Sequence, residues 1–168
     1  DAGANWVFSW ARWVTQVRTL EALRRLDWKG DYIAWAHIEA EGELARLKDG
    51  QFYVGGANSL FQDGLPIHAE ITDAAKKASV QYPPQQMTEG WIAGMVVEAA
   101  LKATSWPPTT EKLAAAMSTL KVDTKGLRGG PIEWTKDNHF RTRQYYRVYR
   151  WDTGKGAIVQ VKDWAAFD

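Results

Sequence analysis

The chain has 168 residues, of which 45% are hydrophobic and 24% are charged, as in an ordinary folded domain or two small lobes. Its 21 basic and 20 acidic residues nearly cancel, so the charge gives no support for nucleic acid or a membrane surface as a partner. The lack of cysteine excludes disulfides and thiolate chemistry, and no apolar run approaches the roughly 20 residues that span a bilayer.

The first half of the chain alternates helical and extended patterns. Apolar residues recur at three- and four-residue spacing over 6–27, which predicts a helix with Asn5 as its N-cap. The expected buried stripe of this helix contains Trp10, Trp13, Val14, Val17 and Leu20. Short apolar runs at 32–36 and 51–56 predict strands that are buried on both faces of a parallel sheet. Further helices are expected at 41–48 and 66–78. This order favours α/β layering.

The second half predicts two helices followed by a β-hairpin. Consecutive prolines at 82–86 indicate a linker, and a helix is expected over 88–104. A second helix follows, capped by Thr109 or Thr110. A brief extended segment comes next, and two strands over 144–151 and 157–161, joined by a glycine-containing turn at 152–156, close the pattern.

The order of these features resembles a known family. Glu-Ala-Ala-Leu-Lys-Ala at 98–103 ends one helix, Thr-Thr-Glu-Lys-Leu at 109–113 begins the next, and Gly-Gly-Pro-Ile-Glu-Trp-Thr-Lys-Asp-Asn-His at 129–139 precedes the hairpin. This order is similar to that in the C-terminal portion of type I periplasmic solute-binding proteins, the branched-chain amino-acid-binding family of ABC importers. The resemblance extends upstream over nearly the whole chain.

The resemblance implies a three-layer α/β fold of two lobes, of which this chain holds mainly the second lobe and some helices of the first. Residues 1–84 would form a second-lobe segment, 85–126 would be helices that lie on the first lobe, and 127–168 would return to the second. Members are about twice as long as this chain, as two ordinary domains would be. We therefore expect the chain alone to bind ligand more weakly than a complete protein.

The resemblance also implies a function without catalysis and without a cofactor. Such proteins capture a solute in the cleft between the lobes and deliver it to a membrane permease. We expect a small carboxylate-bearing solute, an amino acid or an aromatic acid, and a periplasmic or extracellular location with a lipid anchor in the full-length form. The alternative is a ligand-sensing regulatory or receptor domain of the same fold. A homodimer through the helices over 88–120 would cover their apolar stripe.

Five residues are candidates for ligand binding. Trp35, His37 and Glu39 end a predicted strand or follow it, and ligands of open α/β sheets bind beyond the carboxyl ends of strands. Asn5 and Trp6 lie at a predicted helix N-terminus, where free N–H groups suit a carboxylate. Alternatives stay open, because the residues after Trp35 also suit a solvated loop or a metal site with Glu41 and Glu43, and Asn5 and Trp6 also suit a simple cap and a core residue.

The remaining chemistry-bearing residues predict no other site. His68, Glu70 and Asp73 are expected on a surface helix, and His139 in an exposed turn. The serines lack the setting of a nucleophile elbow. An arginine- and tyrosine-rich hairpin face at 141–151 suits an ordinary outward face better than a nucleic-acid platform. The 10 tryptophans are expected mainly in the core, and they tilt the ligand class towards an aromatic one.

Overall fold

The computed structural model describes residues 3–35, 40–138, 140 and 143–168. The strands are β1 (Trp6–Ser9), β2 (Asp31–Trp35), β3 (Phe52–Gly56), β4 (Lys121–Val122), β5 (Ile132–Glu133), β6 (Gln144–Asp152) and β7 (Ala157–Phe167). The helices are α1 (Trp13–Arg25), α2 (Ala40–Leu47), α3 (Pro66–Lys77), α4 (Thr88–Ala103) and α5 (Thr110–Met117). In the described part of the chain, no helix combines the length and the apolar character needed to cross a membrane.

Five strands form one mixed sheet in the order β1-β2-β3-β6-β7. β1, β2 and β3 pair in parallel, with Phe8 opposite Ile33 and Ile33 opposite Tyr53. β6 runs antiparallel to β3, with Arg150 opposite Tyr53. Parallel neighbours require crossover connections, and α1 and α2 stand in the chain where those crossovers are needed. The predicted α/β architecture is therefore confirmed.

The chain divides into two compact units. Unit 1 comprises Asp1–Ala57 and Tyr146–Ala165, and unit 2 comprises Asn58–Tyr145 and Ala166–Asp168. Unit 1 contains most of the mixed sheet with α1 and α2. Unit 2 contains α3, α4 and α5 and the small antiparallel pair of β4 and β5.

Unit 1 buries one face of its sheet under α1. Tyr32 and Phe52 are fully buried on this face, with ring centroids 6.1 Å apart. Trp13 of α1 is also buried, and its ring lies 6.2 Å from that of Phe52. The Tyr32 hydroxyl donates to the backbone oxygen of Gln16 at 2.9 Å, which satisfies a polar group inside this core. Burial of each such aromatic side chain stabilises the unit by roughly 1.5–3 kcal/mol.

The helix predicted over 6–27 is wrong in its first part. Trp6–Ser9 is strand β1, because all four of its residues pair in parallel with β2. Aromatic and β-branched residues suit a strand as well as they suit an apolar helix stripe, and the non-local pairing with β2 decides between the two. α1 begins at Trp13, and its N-cap is Arg12 rather than Asn5.

The buried stripe of α1 also differs from the prediction at its start. Trp13, Val17 and Leu20 are buried as expected. Trp10 and Val14 were expected on the same stripe, but they are 70% and 58% exposed. Trp10 precedes the helix, and Val14 falls on the side of α1 that faces solvent.

Unit 2 is built around a cluster of isoleucines and leucine. Ile67 and Ile71 of α3 meet Ile92 of α4, together with Leu127 and Ile132 from the segment that follows α5. These five residues are at most 5% exposed. Ile67 and Ile71 are four residues apart and therefore lie on one face of α3, which meets Ile92 of α4 as expected for amphipathic helices.

A second cluster lies at the other end of α4. Ala100 meets Leu120 and Val122, and Met117 of α5 packs against them. α5 begins where it was predicted, because the Thr109 hydroxyl accepts a hydrogen bond from the Lys112 N–H at 3.3 Å. The two clusters fix both ends of α4 against its neighbours.

The predicted segment boundary near residue 84 does not coincide with a boundary between the units. α3 shares a core cluster with α4, so the stretch 82–86 lies inside unit 2. The chain passes from one unit to the other after Ala57, after Tyr145 and after Ala165. It stays a prediction that 1–84 and 127–168 belong to the second lobe of a longer protein, and that 85–126 are helices that lie on its first lobe.

A buried arginine connects three parts of unit 2. The Arg128 side chain is only 8% exposed, and its Nη2 donates to both carboxylate oxygens of Glu89 at 2.8 and 2.9 Å. Asn58 donates to the same carboxylate at 2.8 Å through its Nδ2. The backbone N–H of Arg128 donates to the Thr124 hydroxyl at 3.1 Å. Through Glu89, the first turn of α4 is therefore bonded to Asn58 at the start of unit 2 and to Arg128 in the loop between β4 and β5.

Candidate carboxyl-edge binding site

The carboxyl ends of the parallel strands bring two tryptophans together in unit 1. β1 ends at Ser9 and β2 ends at Trp35, and Trp10 is the first residue after β1. The rings of Trp10 and Trp35 stack in parallel, with centroids 4.8 Å apart and planes 6° apart. Tyr146, at the start of unit 1's share of β6, meets the Trp35 ring edge-on at 4.9 Å. Phe8 meets the Trp10 ring edge-on at 6.4 Å.

We call these four residues the carboxyl-edge aromatic cluster: Phe8, Trp10, Trp35 and Tyr146. The strand register explains why they meet. Successive side chains of a strand point to opposite faces, and the buried Tyr32 and Ala34 of β2 face the α1 core. Trp35 therefore points to the other face, and so does Phe8, which pairs with Ile33. The cluster therefore lies at the edge where ligands of open α/β sheets bind.

A buried glutamine fixes the two loops that leave β1 and β2. Gln16 is fully buried in the first turns of α1. Its Nε2 donates to the backbone oxygens of Ala11 at 3.0 Å and Trp35 at 3.2 Å, and its Oε1 accepts from the Trp35 N–H at 3.1 Å. One side chain thus satisfies three backbone groups at this edge. It holds the Trp10 loop and the end of β2 in a single arrangement.

A basic residue and a helix N-terminus follow Trp10 directly in the chain. Arg12 is exposed and occupies the N-cap of α1 without a side-chain capping bond. The first turn of this 13-residue helix carries no acidic residue. The first N–H groups of α1 therefore carry a positive partial charge directly after the N-cap residue Arg12. This arrangement suits a carboxylate.

The candidates Asn5 and Trp6 lie at the other end of the sheet. Asn5 precedes β1, and its backbone oxygen accepts from the Asp31 N–H at 2.9 Å. Both residues line an open pocket of about 270 Å³ with Asp31, Ile33 and Tyr53, and Trp6 is 60% exposed. The helix N-terminus that motivated them is at Trp13 instead, so the stated reason for a carboxylate site at Asn5 is wrong.

The other candidates have different outcomes. Trp35 ends β2 and belongs to the cluster described above. His37, Glu39 and His139 lie outside the described residues. Glu41 and Glu43 fall in the first turn of α2, where Glu43 pairs with Arg46 at 2.6 Å. Among the residues that the structure describes, no group of three or more metal-binding side chains lies close enough to hold an ion.

His68 is buried rather than on the surface, which corrects the prediction. Its Nδ1 accepts from the Leu65 N–H at 3.3 Å, so the ring proton is on Nε2, which donates to the Ser59 hydroxyl at 2.9 Å. The Phe61 ring stacks on it at 4.4 Å. Burial lowers the pKa of this imidazole, and nearby Asp63 opposes the shift. This tautomer gives the Ser59 hydroxyl a donor rather than a base, so the pair has a structural role.

Two of the described hairpin arginines, Arg147 and Arg150, are engaged within unit 1. Arg147 donates to Asp163 at 2.7 Å and to the Tyr149 hydroxyl at 3.0 Å. Its guanidinium lies 4.4 Å from the centre of the Trp164 ring. Arg150 bonds to the backbone oxygen of Gly50 at 3.3 Å. These two cations already meet acceptors and a ring, so neither offers a free guanidinium for stacking on a base.

Unit 2 contains a second concave surface. A pocket of about 790 Å³ is lined by apolar side chains of α4, including Trp91 and Met95, and by charged residues such as Glu98 and Lys121. Gly90 and Gly94 also line it, and a Cβ at either position would meet open space. This pocket is an alternative location against which the carboxyl-edge site is to be tested.

The family model described as periplasmic binding protein matches residues 1–157. Since this match covers most of the chain, the chain belongs to the periplasmic binding protein family. A comparison with curated protein sequences gives no significant match.

Solved structures share the fold. A branched-chain amino acid ABC transporter from Thermus thermophilus with bound valine is 18% identical with a TM-score of 0.74, and the match covers 98% of this chain and 46% of that one. A substrate-binding protein of an ABC transporter from Aeropyrum pernix is 12% identical with a TM-score of 0.78, covering 98% and 45%. A fatty acid ABC transporter substrate-binding protein from Thermomonospora curvata is 20% identical with a TM-score of 0.64, covering 91% and 40%.

This chain spans less than half the length of each of these relatives. At such identities the likeness shows the fold, and it confirms the type I solute-binding fold predicted from the order of motifs. The family and these relatives are solute-binding proteins and not enzymes.

Sequence reasoning missed Trp10, Arg12 and Gln16. All three were placed inside the long helix predicted over 6–27. The signal that was available is the four-residue run Trp6-Val7-Phe8-Ser9, which is short and rich in aromatic and β-branched residues like the five-residue strand at Asp31–Trp35. A strand there would have placed Trp10 and Arg12 in the loop that follows it.

Proposed function

We propose that this chain belongs to the substrate-binding component of an ABC importer and helps to bind a small carboxylate-bearing solute, an amino acid or an aromatic acid. The site is the carboxyl edge of β1 and β2, which provides one wall for the ligand. The observation that carries the proposal is the convergence of the Trp10–Arg12 loop and the end of β2 at one edge, within a family of solute-binding proteins.

The carboxylate of the ligand is bound by Arg12 and by the first N–H groups of α1. A guanidinium offers planar paired donors to a carboxylate, and a helix N-terminus adds backbone donors. The absence of acidic residues from the first turn removes a source of repulsion. The ammonium of an amino acid requires an acidic partner, and Glu39 with His37 beside it remains our prediction for that role.

A ligand screen tests this proposal. Thermal-shift measurements with amino acids and aromatic acids are followed by calorimetry on each compound that raises the melting temperature, since a ligand that binds the folded state stabilises it. The variant Arg12→Met is expected to weaken binding of carboxylates about tenfold. Arg25→Met changes an exposed arginine at the opposite end of the same helix and serves as the matched control.

Two results would overturn the proposal. One is a screen in which no small carboxylate stabilises the chain at millimolar concentration. The other is equal loss of affinity in Arg12→Met and Arg25→Met, which would mean that net charge rather than the Arg12 position matters.

A membrane permease is the proposed partner, and a periplasmic or extracellular location with a lipid anchor is the proposed setting. Membership of the periplasmic binding protein family supports the periplasmic location, and the likeness to substrate-binding proteins of ABC transporters supports a permease as the partner. Osmotic shock of the source cells would release a free periplasmic protein, whereas an anchored one would stay with the membranes. Recovery in the cytoplasmic fraction alone would contradict this setting.

A homodimer through the helices over 88–120 is also proposed. α4 supports it, because Val97 and Leu101 are 55% and 45% exposed on its surface. A second copy that covers these residues would remove apolar area from water.

A further inference from the structure

The stacked tryptophans of the carboxyl edge carry an inference about the ligand class, which rests on the function proposed above. Trp10 and Trp35 are 4.8 Å apart and almost parallel, so one flat surface covers the other. Parallel, closely spaced rings are a favoured geometry for aromatic pairs. The stack presents its outer member, Trp10, to solvent.

The inner ring of the stack is contacted by a second aromatic ring, and its backbone is fixed by hydrogen bonds. Tyr146 meets Trp35 edge-on at 4.9 Å with an interplanar angle of 70°. Both backbone polar groups of Trp35 bond to the amide of Gln16. A platform that is fixed before the ligand arrives loses little conformational entropy on binding, which favours affinity.

The outer ring is open. Trp10 is 70% exposed, although its edge is supported by Phe8 at 6.4 Å. An indole left in water at the ligand edge of a sheet forgoes the stabilisation that burial would provide. A third flat ring that continues the stack would recover it.

Aliphatic side chains make poorer use of this geometry. They bury area against an indole, but they lack the π face whose quadrupole pairs with that of the ring in an offset stack. The neighbouring Arg12 supplies the positive charge for an acid group beside the ring. The surface thus combines one flat apolar platform with one cationic group.

We propose that Trp10 is a specificity-determining residue, and that the chain prefers aromatic carboxylates whose ring stacks on the solvent-facing side of Trp10. The ring extends the Trp10–Trp35 stack by one layer, and the carboxylate lies towards Arg12. No covalent step is involved. Trp35, Tyr146 and Gln16 act as positioning residues that keep the platform flat.

Calorimetry with two matched acids tests this proposal. Indole-3-acetate carries a flat ring and a carboxylate, whereas hexanoate carries a carboxylate and an aliphatic chain. The chain is expected to bind indole-3-acetate about tenfold more tightly than hexanoate, because stacking contributes beyond burial. Trp10→Leu should reduce this ratio to about one, and Trp10→Phe should preserve most of it.

Trp106→Leu is the matched control, because Trp106 is 82% exposed in unit 2 and is not part of the cluster. Its affinity for both acids should stay unchanged. Tighter binding of hexanoate, or an unchanged ratio in Trp10→Leu, would overturn the aromatic preference while leaving the carboxylate function intact. Failure of both acids and of all amino acids to bind would overturn the proposed function together with this inference.

Discussion

Gln16 and Trp35 exchange two hydrogen bonds through the side-chain amide of the first and the backbone of the second. The Trp35 N–H donates to Oε1 at 3.1 Å, and Nε2 donates to the Trp35 oxygen at 3.2 Å. This pairing makes the glutamine a substitute for a neighbouring strand at the last residue of β2. It explains why a polar side chain is fully buried in α1 and why the two carboxyl-edge loops keep one arrangement.

Replacement of Gln16 by methionine should strongly destabilise the chain. The variant Gln16→Met keeps the length of the side chain but removes the amide that bonds to three backbone groups at the edge. We expect the free energy of unfolding to fall by on the order of 3 kcal/mol, as buried unsatisfied groups are costly. Urea denaturation measures it. Gln81→Met is the exposed control and should change stability by less than about 0.5 kcal/mol; similar values for both variants would contradict the assignment.

The carboxylate of Glu89 should matter more than that of an ordinary surface glutamate. Glu89→Gln removes the charge that faces Arg128, whose side chain is 8% exposed. We expect a loss of about 1–3 kcal/mol in unfolding free energy, because a buried guanidinium then loses its charged partner. Glu98→Gln breaks an exposed pair with Lys102 and should cost less than about 0.5 kcal/mol. An equal loss of unfolding free energy in Glu89→Gln and Glu98→Gln would show that solvent screens the Glu89–Arg128 pair as it screens an exposed pair.

His68 should make the stability of the chain fall in mild acid. Burial holds the pKa of His68 in the folded state below the ordinary value of about 6.5. As the pH falls below that value, the unfolded chain takes up the proton before the folded chain does. The contribution of His68 to the free energy of unfolding is therefore complete above the ordinary pKa and is lost as the pH falls from there through the folded pKa. Protonation also removes the Nδ1 acceptor that Leu65 uses.

Urea denaturation between pH 7.5 and 5 checks this prediction. The variant His68→Gln cannot titrate in this range, so its unfolding free energy should depend less on pH than that of the unmodified chain. Ser59→Ala keeps the imidazole and should retain the dependence. Identical pH profiles for the unmodified chain and His68→Gln would show that the buried imidazole does not titrate on unfolding.

The homodimer makes a direct prediction for light scattering after size exclusion. The unmodified chain should show a mass above 19.0 kDa that rises with concentration. The double variant Val97→Glu with Leu101→Glu should stay monomeric, because it places charges on the exposed face of α4. Val14→Glu, on the exposed side of α1, should leave the mass unchanged. A monomer at every concentration of the unmodified chain would exclude the dimer.

The elements with strong local signals were predictable from the sequence. β2, α2 and β3 lie within one residue or so of the predicted ranges, because each is a short apolar run or stripe ended by Gly30, Gly50 or a similar break. The Thr109 cap and the turn at 152–156 were found for the same reason, since their side-chain chemistry is local.

The features that depend on non-local pairing were not predictable. Trp6–Ser9 fits both a strand and an apolar helix stripe, and only its register with β2 decides between them. The last strand was expected to end near residue 161, because the charged Lys162 and Asp163 resemble a strand end. β7 instead runs to Phe167, and Arg147 on β6 donates a hydrogen bond to Asp163. The carboxyl-edge cluster combines residues from β1, β2 and β6, so no local pattern contains it.

The most direct test of the central claim, that ligand binds at the carboxyl edge of β1 and β2, is a titration followed by the tryptophan indole N–H signals in ¹H–¹⁵N correlation spectra. The 10 indole signals are assigned with single Trp→Phe variants. On addition of indole-3-acetate to millimolar concentration, the signals of Trp10 and Trp35 should shift most and should saturate together. Shifts confined to Trp91, Trp106 and Trp134 of unit 2, or no shift at all, would contradict the account.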